Sequence, residues 1–141
     1  MANDSSDFAR SMSIATSGLR AQAGRMRVIS ENVANADSTA ATAGGDPYRR
    51  KVPTFTSALD RAADAKVVSL GKVVPDQSAF RVKYDPSNPA ADATGNVKYP
   101  NVNPLIEMTD MRDAQRSYEA NLNIIGATRR MIQRTLDILK T

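Results

Sequence analysis

The chain has 141 residues, a net charge of +4, and neither cysteine nor histidine, which removes disulfides, thiol nucleophiles, imidazole acid–base chemistry and the usual zinc ligands together. The basic excess is spread thinly: four basic residues against three acidic over 1–35, nine against seven over 36–103, and six against five over 104–141. No segment is therefore the basic patch that a nucleic-acid backbone needs, and no run approaches the roughly 20 apolar residues of a membrane span.

The chain begins Met1-Ala2-Asn3-Asp4-Ser5-Ser6-Asp7, acidic where a cleaved leader is basic and with no apolar run after it, so a cleaved secretory signal is not expected. From Phe8 a heptad runs through Met12, Ala15, Leu19, Gln22, Met26, Ile29 and Val33, which predicts an amphipathic helix. Gly18 and Gly24 interrupt it at a cost of about 1 kcal/mol each, so the helix depends on packing. A second apolar row at Ile14, Ala21 and Val28 widens the stripe. Residues 31–39 are rich in Asn, Asp and Ser, and predict helix exit near Asn35 to Ser38 with a plain C-terminal cap.

Residues 40–46 read as a flexible connector, and Arg49-Arg50-Lys51 as a solvated turn. Residues 48–56 are expected to be extended, with Pro53 at an edge, and residues 57–65 to form a short helix. Lys66 to Val74 and Phe80 to Tyr84 read as strands joined through Pro75–Ser78 in a hairpin. The alternation puts Phe80, Val82 and Tyr84 on one face and Arg81 and Lys83 on the other. Residues 85–104 carry four prolines and read as an irregular arm. Asp85, Asn88, Asp92 and Asn96 lack the spacing of an EF-hand loop, so no metal is expected there.

Asn103 and Pro104 suit the cap and first position of a last helix. Its seam is Met108, Met111, Gln115, Tyr118, Leu122, Ile125, Arg129, Ile132, Leu136 and Leu139, with a second row at Ile124, Met131 and Ile138. At 1.5 Å per residue such a rod is roughly 55 Å long, more than one small core requires. Gln22 and Gln115 either pin the register of the two seams or sit at a wet edge.

The expected fold is mainly α with a small β part. Long N- and C-terminal helices pack as a coiled-coil-like pair, dependent on assembly, around a small β-hairpin and irregular middle. The segments are 1–39, 40–103 and 104–141. Leu19, Met26, Ile29 and Val33 are expected against Leu122, Ile125, Ile132 and Leu136, with Phe8, Met12, Tyr118 and Leu139 extending the seam. Ile14, Val28, Ile124 and Met131 are left to face neighbouring subunits.

Two patches carry a resemblance. One is Ser17-Gly18-Leu19-Arg20-Ala21-Gln22, then Arg25-Met26 and Ser30-Glu31-Asn32-Val33-Ala34-Asn35-Ala36-Asp37-Ser38-Thr39. The other is Ala114-Gln115-Arg116-Ser117-Tyr118-Glu119-Ala120-Asn121 with the helix that follows. Both resemble the axial proteins of the bacterial flagellum: rod, hook and hook-associated proteins. The Thr-x-Gly-aromatic continuation of the hook and distal-rod members is replaced by Tyr48-Arg49-Arg50-Lys51, and the middle is short, which is similar to the proximal rod members. The resemblance implies a structural subunit without cofactor, exported through the flagellar type III apparatus without a cleaved signal. It would assemble in the periplasm with itself, other rod proteins and the membrane-ring or base-linking components. The alternative is a stand-alone helical adaptor or export chaperone.

Overall fold

The computed structural model describes residues 2–139, with side chains described for residues 6–138. Helix α1 spans Ala2–Ala34 and helix α2 spans Pro104–Leu139. Between them lie β1 (Lys51–Asp60), β2 (Ala65–Pro75), β3 (Arg81–Tyr84) and β4 (Asn96–Tyr99). The fold is mainly helical with a small β part, as the periodicities predict.

Both helix boundaries in the chain interior follow from local chemistry. At the start of α2 the Leu105 N–H donates to Asn103 Oδ1 at 3.1 Å and Pro104 occupies the first helical position, where no amide hydrogen is needed. At the end of α1 the Asn35 side-chain amide donates to the Glu31 carbonyl at 2.8 Å and the Ser38 hydroxyl to the Asn35 carbonyl at 2.9 Å. These bonds satisfy carbonyls that the last helical turn leaves open.

The middle departs from expectation in three ways. Residues 57–65 do not form a helix: β1 continues to Asp60 and residues 61–64 make the turn into β2. Propensity yields here to tertiary context. The Thr54 hydroxyl donates to the Lys72 carbonyl at 2.6 Å, the Thr56 and Ser69 hydroxyls meet at 2.9 Å, and Asp60 Oδ1 accepts the Ala62 N–H at 3.0 Å. Second, β2 pairs with β1 and β3 with β4, in two separate two-stranded sheets, so Pro75–Ser78 is no hairpin turn. That segment is held by Asn101, whose side-chain amide reaches the Asp76 carbonyl at 3.1 Å and the Ser78 hydroxyl at 2.9 Å. Third, the arm is not irregular throughout, since it supplies β4. Asp92 Oδ1 folds it by accepting the N–H groups of Thr94 at 2.8 Å and Asn96 at 3.0 Å; the Thr94 hydroxyl, and after it these N–H groups, hold this carboxyl below its ordinary range.

The register of β3 with β4 sets Arg81 opposite Tyr99 and Lys83 opposite Val97. Val97 is fully buried while Val82 and Tyr84 are exposed. The covered face is the one that carries Arg81 and Lys83, the reverse of what simple alternation suggests, because β4 contributes the apolar side chain.

The chain forms two compact units, one of Met1–Met26, Thr54–Lys72 and Asp113–Thr141, the other of Arg27–Pro53 and Val73–Arg112. Each takes part of both helices and of the β1–β2 hairpin, so the units cut across the division at 39 and 103. In the first unit β2 lies on α1: the Val68 N–H donates to the Ser17 hydroxyl at 3.2 Å, and Arg10 Nε to the Ala63 carbonyl at 3.3 Å. A Cβ on Gly24 would lie 2.8 Å from the Leu70 side chain, so the glycine that weakens the isolated helix is what lets β2 approach. The second unit buries Val28, Ile29, Ala36, Ala90, Val97 and Val102 around two polar side chains, Asn32 and Glu107.

Candidate assembly surface and the buried polar cluster

The helix faces turned inward differ by one residue from the heptads of largest hydrophobicity. On α1 the buried positions are Ala15, Gly18, Ala21, Val28, Ile29 and Asn32, with Gln22 and Arg25 half-buried between them. On α2 they are Glu107, Ala114 and Thr128, with Asn121 half-buried in the same seven-residue row. Of the alternate positions expected in these seams, Leu19, Met26 and Val33 on α1 are half-buried, whereas Leu122 and Leu136 on α2 are displaced outward. The reason is the distance of approach. A Cβ on Gly18 would lie 2.8 Å from Asn121 Oδ1, a separation that small side chains permit and Leu or Met do not.

Consequently Leu122 and Leu136 are not enclosed: they stay 46% and 47% exposed, beside Ile14 at 45%, Ile124 at 48%, Met131 at 47% and Ile138 at 74%. Phe8, Met12, Leu19, Met26, Val33, Tyr118, Ile125 and Ile132 are half-buried. Val28, expected to face a neighbour, is 6% exposed and belongs to the core of its unit. The heptad pairing set Ile29 and Val33 against the Leu122–Leu136 stretch, whereas the turn that carries them meets α2 at Glu107. Lys140 and the side chain of Leu139 lie outside the described residues. Leu105, Ile106 and Met108, at the start of α2, are further exposed apolar side chains; the unbroken run Leu105-Ile106 was the signal that a strict heptad passes over.

The polar cluster occupies the second unit. Asn32 is completely buried and makes four hydrogen bonds. Its amide nitrogen donates to the Lys51 carbonyl at 2.8 Å and to Glu107 Oε2 at 3.0 Å. Its oxygen accepts the Tyr48 hydroxyl at 2.9 Å and the Lys51 N–H at 2.9 Å. The side chain thus pairs with both backbone groups of Lys51 as a neighbouring strand would, and all its hydrogen-bonding capacity is used.

Glu107 is 1% exposed. Arg50 Nε donates to its Oε1 at 2.6 Å, and the same guanidinium lies 3.5 Å from Asp76 and 3.8 Å from Asp110. Burial works against the Arg50 charge, but Glu107 and Asp76 outweigh it and hold the guanidinium above its ordinary value. Burial, then the charges of Glu31 and Glu107, push the Tyr48 phenol up to about 12. Lys51 pairs with Glu31, and the Arg49 guanidinium stacks 4.1 Å over the Phe80 ring. The basic run is therefore no solvated turn; its charges have partners that lie 20 to 60 residues away in sequence.

The cluster also reassigns the residues of the Asn-rich motif. Asn35 and Ser38 cap the helix, while Ala34 and Thr39 are exposed. Asn32 has the role a simple cap reading misses. Gln115 is exposed, and Gln22 is half-buried with its Oε1 enclosed and without a hydrogen-bond partner. Among the described residues no helix is long and apolar enough to cross a membrane, and no group of three or more His, Cys, Asp or Glu could hold a metal ion.

Comparison with known proteins matches the regions that carry these features. Residues 12–41 match the family model described as "Flagella basal body rod protein", and residues 93–138 match "Flagellar basal body rod FlgEFG protein C-terminal". Asn32 falls in one match and Glu107 in the other. The chain is 54% identical over 127 residues to the "Flagellar basal-body rod protein FlgC" of Agrobacterium fabrum, covering 90% of this chain and 91% of that one. It is 39% identical over 145 residues to the protein of that name from Bacillus subtilis, covering 92% and 97%. The one from Salmonella typhimurium is 38% identical over 125 residues, covering 89% and 92%. With apolar side chains left outward on both terminal helices and relatives matched along nearly their whole length, the chain belongs to the FlgC family of flagellar basal-body rod proteins and is a structural subunit of the rod.

Proposed function

We propose that the chain enters the proximal rod by packing the exposed faces of α1 and α2 against neighbouring subunits, so that the terminal helices build the inner layer of a hollow drive shaft for motility. The carrying observation is the exposed set Ile14, Leu122, Ile124, Met131, Leu136 and Ile138 on long helices, since apolar surface of this extent on a soluble chain marks contact with a partner. The partners are other copies, other rod proteins, and the membrane-ring or base-linking components beneath them. Export runs through the flagellar type III apparatus without a cleaved signal, and assembly takes place in the periplasm. The role is structural, with no catalytic chemistry in it.

Mass spectrometry of detergent- and alkali-washed basal bodies tests the assignment. The chain should be present at fixed stoichiometry with other axial proteins, and Ile124→Asp should remove it from them, because burying an unpaired charge costs several kcal/mol. Recovery of the wild-type chain solely from the soluble fraction would favour the adaptor reading instead.

A further inference from the structure

From the placement of Asn32 and Glu107 we infer that these two residues, with Arg50 as the third member, set the register of α1 against α2 in the unit that holds them. Three observations carry this. First, Asn32 and Glu107 are 0% and 1% exposed and meet each other at 3.0 Å across the two helices. Second, the surrounding apolar side chains are small or interchangeable: Val28, Ile29, Ala36 and Val102 would bury much the same area if one helix slid by a turn, so they discriminate poorly between registers. Displacing Glu107 by one turn would instead separate it from both its donors and leave a buried carboxylate unpaired, the costliest error available to this core.

Third, the chemistry at position 107 admits little substitution. Each carboxylate oxygen accepts one bond, Oε1 from Arg50 Nε at 2.6 Å and Oε2 from the Asn32 amide at 3.0 Å. Glutamine would replace one acceptor by an N–H donor and set two donors against each other. Asn32 is equally committed, because Lys51 presents it with a fixed N–H on one side and a fixed carbonyl on the other. The lock therefore closes only when the end of α1, residues 48–51 and the first turn of α2 are all in place. It specifies an arrangement more than it stabilises one, as buried polar groups in helix seams do elsewhere.

The chain contains no cysteine, so an introduced pair supplies its only thiols. In the full chain, Ser30→Cys is combined in turn with Ile106→Cys, Thr109→Cys or Arg112→Cys, all exposed positions of this unit, and each pair is treated with a short bis-maleimide. One partner should dominate in the native background. In Arg50→Met/Glu107→Met, which replaces the ion pair by apolar side chains of similar length and leaves Asn32 bonded to Lys51, helical circular dichroism should persist while the cross-link spreads over the three partners. Glu107→Gln should lose the preference too. Retention of a single preferred partner in either variant overturns the inference. So does loss of the helical signal in the double variant, which would make the pair a stabiliser of the fold and not a determinant of register.

Discussion

Two regions of the molecule, the buried polar cluster of one compact unit and the outer helix face of the other, treat polarity in opposite ways. In the one that contains Asn32 and Glu107, polar side chains are turned inward and matched donor to acceptor. In the one that contains Met131 and Leu136, apolar side chains are turned outward and left in water. The first arrangement is complete within a single chain, whereas the second is complete only when something covers it. An internal seam of Ala, Gly, Asn and Thr side chains connects the two facts: close helix contact takes the small residues, and the large apolar ones are left for other molecules.

Breaking the polar side of this contrast should have the largest effect on the fold. Asn32→Ala leaves the Tyr48 hydroxyl, both backbone groups of Lys51 and one oxygen of Glu107 short of a partner. It should cost roughly 3 kcal/mol, read from urea unfolding. Closing the gap in the seam should cost less. Gly18→Ala sets a methyl against Asn121 while gaining helix propensity of about 1 kcal/mol, so its net loss should be small, and Gly18→Ala/Asn121→Ala should recover it.

The phenol of Tyr48 sharpens the comparison without altering the packing. Its folded value of about 12 stands above the ordinary 10.0, so the stability it contributes is fully present below pH 10 and is lost as pH rises toward 12. Absorbance titration should show a tyrosine ionising near pH 12, and Tyr48→Phe should remove that step. The least effect on stability is expected from Met131→Asp, which alters an exposed position and should shift unfolding by about 0.5 kcal/mol or less.

How far these features could be read beforehand depended on whether the signal was local. The helices, the Asn103 cap and the exit at Asn35 to Ser38 each rest on bonds within a few residues, and sequence carries them. The pairing of β3 with β4 rests on an arm that folds back through Asp92, and alternation in Phe80–Tyr84 says nothing of which strand will lie beside it. Of the heptad positions, Ala15 and Ile29 are buried and Gln22, Met111, Tyr118, Ile125 and Ile132 half-buried, whereas Met108 and Leu122 stand exposed beside Glu107 and Asn121. Hydrophobicity ranks Leu122 above Asn121 and Met108 above Glu107, while close contact and a matched ion pair rank them the other way. Arg50 looked solvated because its partner lies 57 residues further on.

The central claim is that the outward stripe serves assembly and contributes little to the fold of the chain itself. Its most direct test is Met131→Asp, with urea unfolding of the purified chain measured beside its recovery in isolated basal bodies. We predict a chain as stable as the wild type that is absent from the basal bodies of a non-motile cell. A Met131→Asp chain recovered there at wild-type stoichiometry, in a motile cell, would contradict the account.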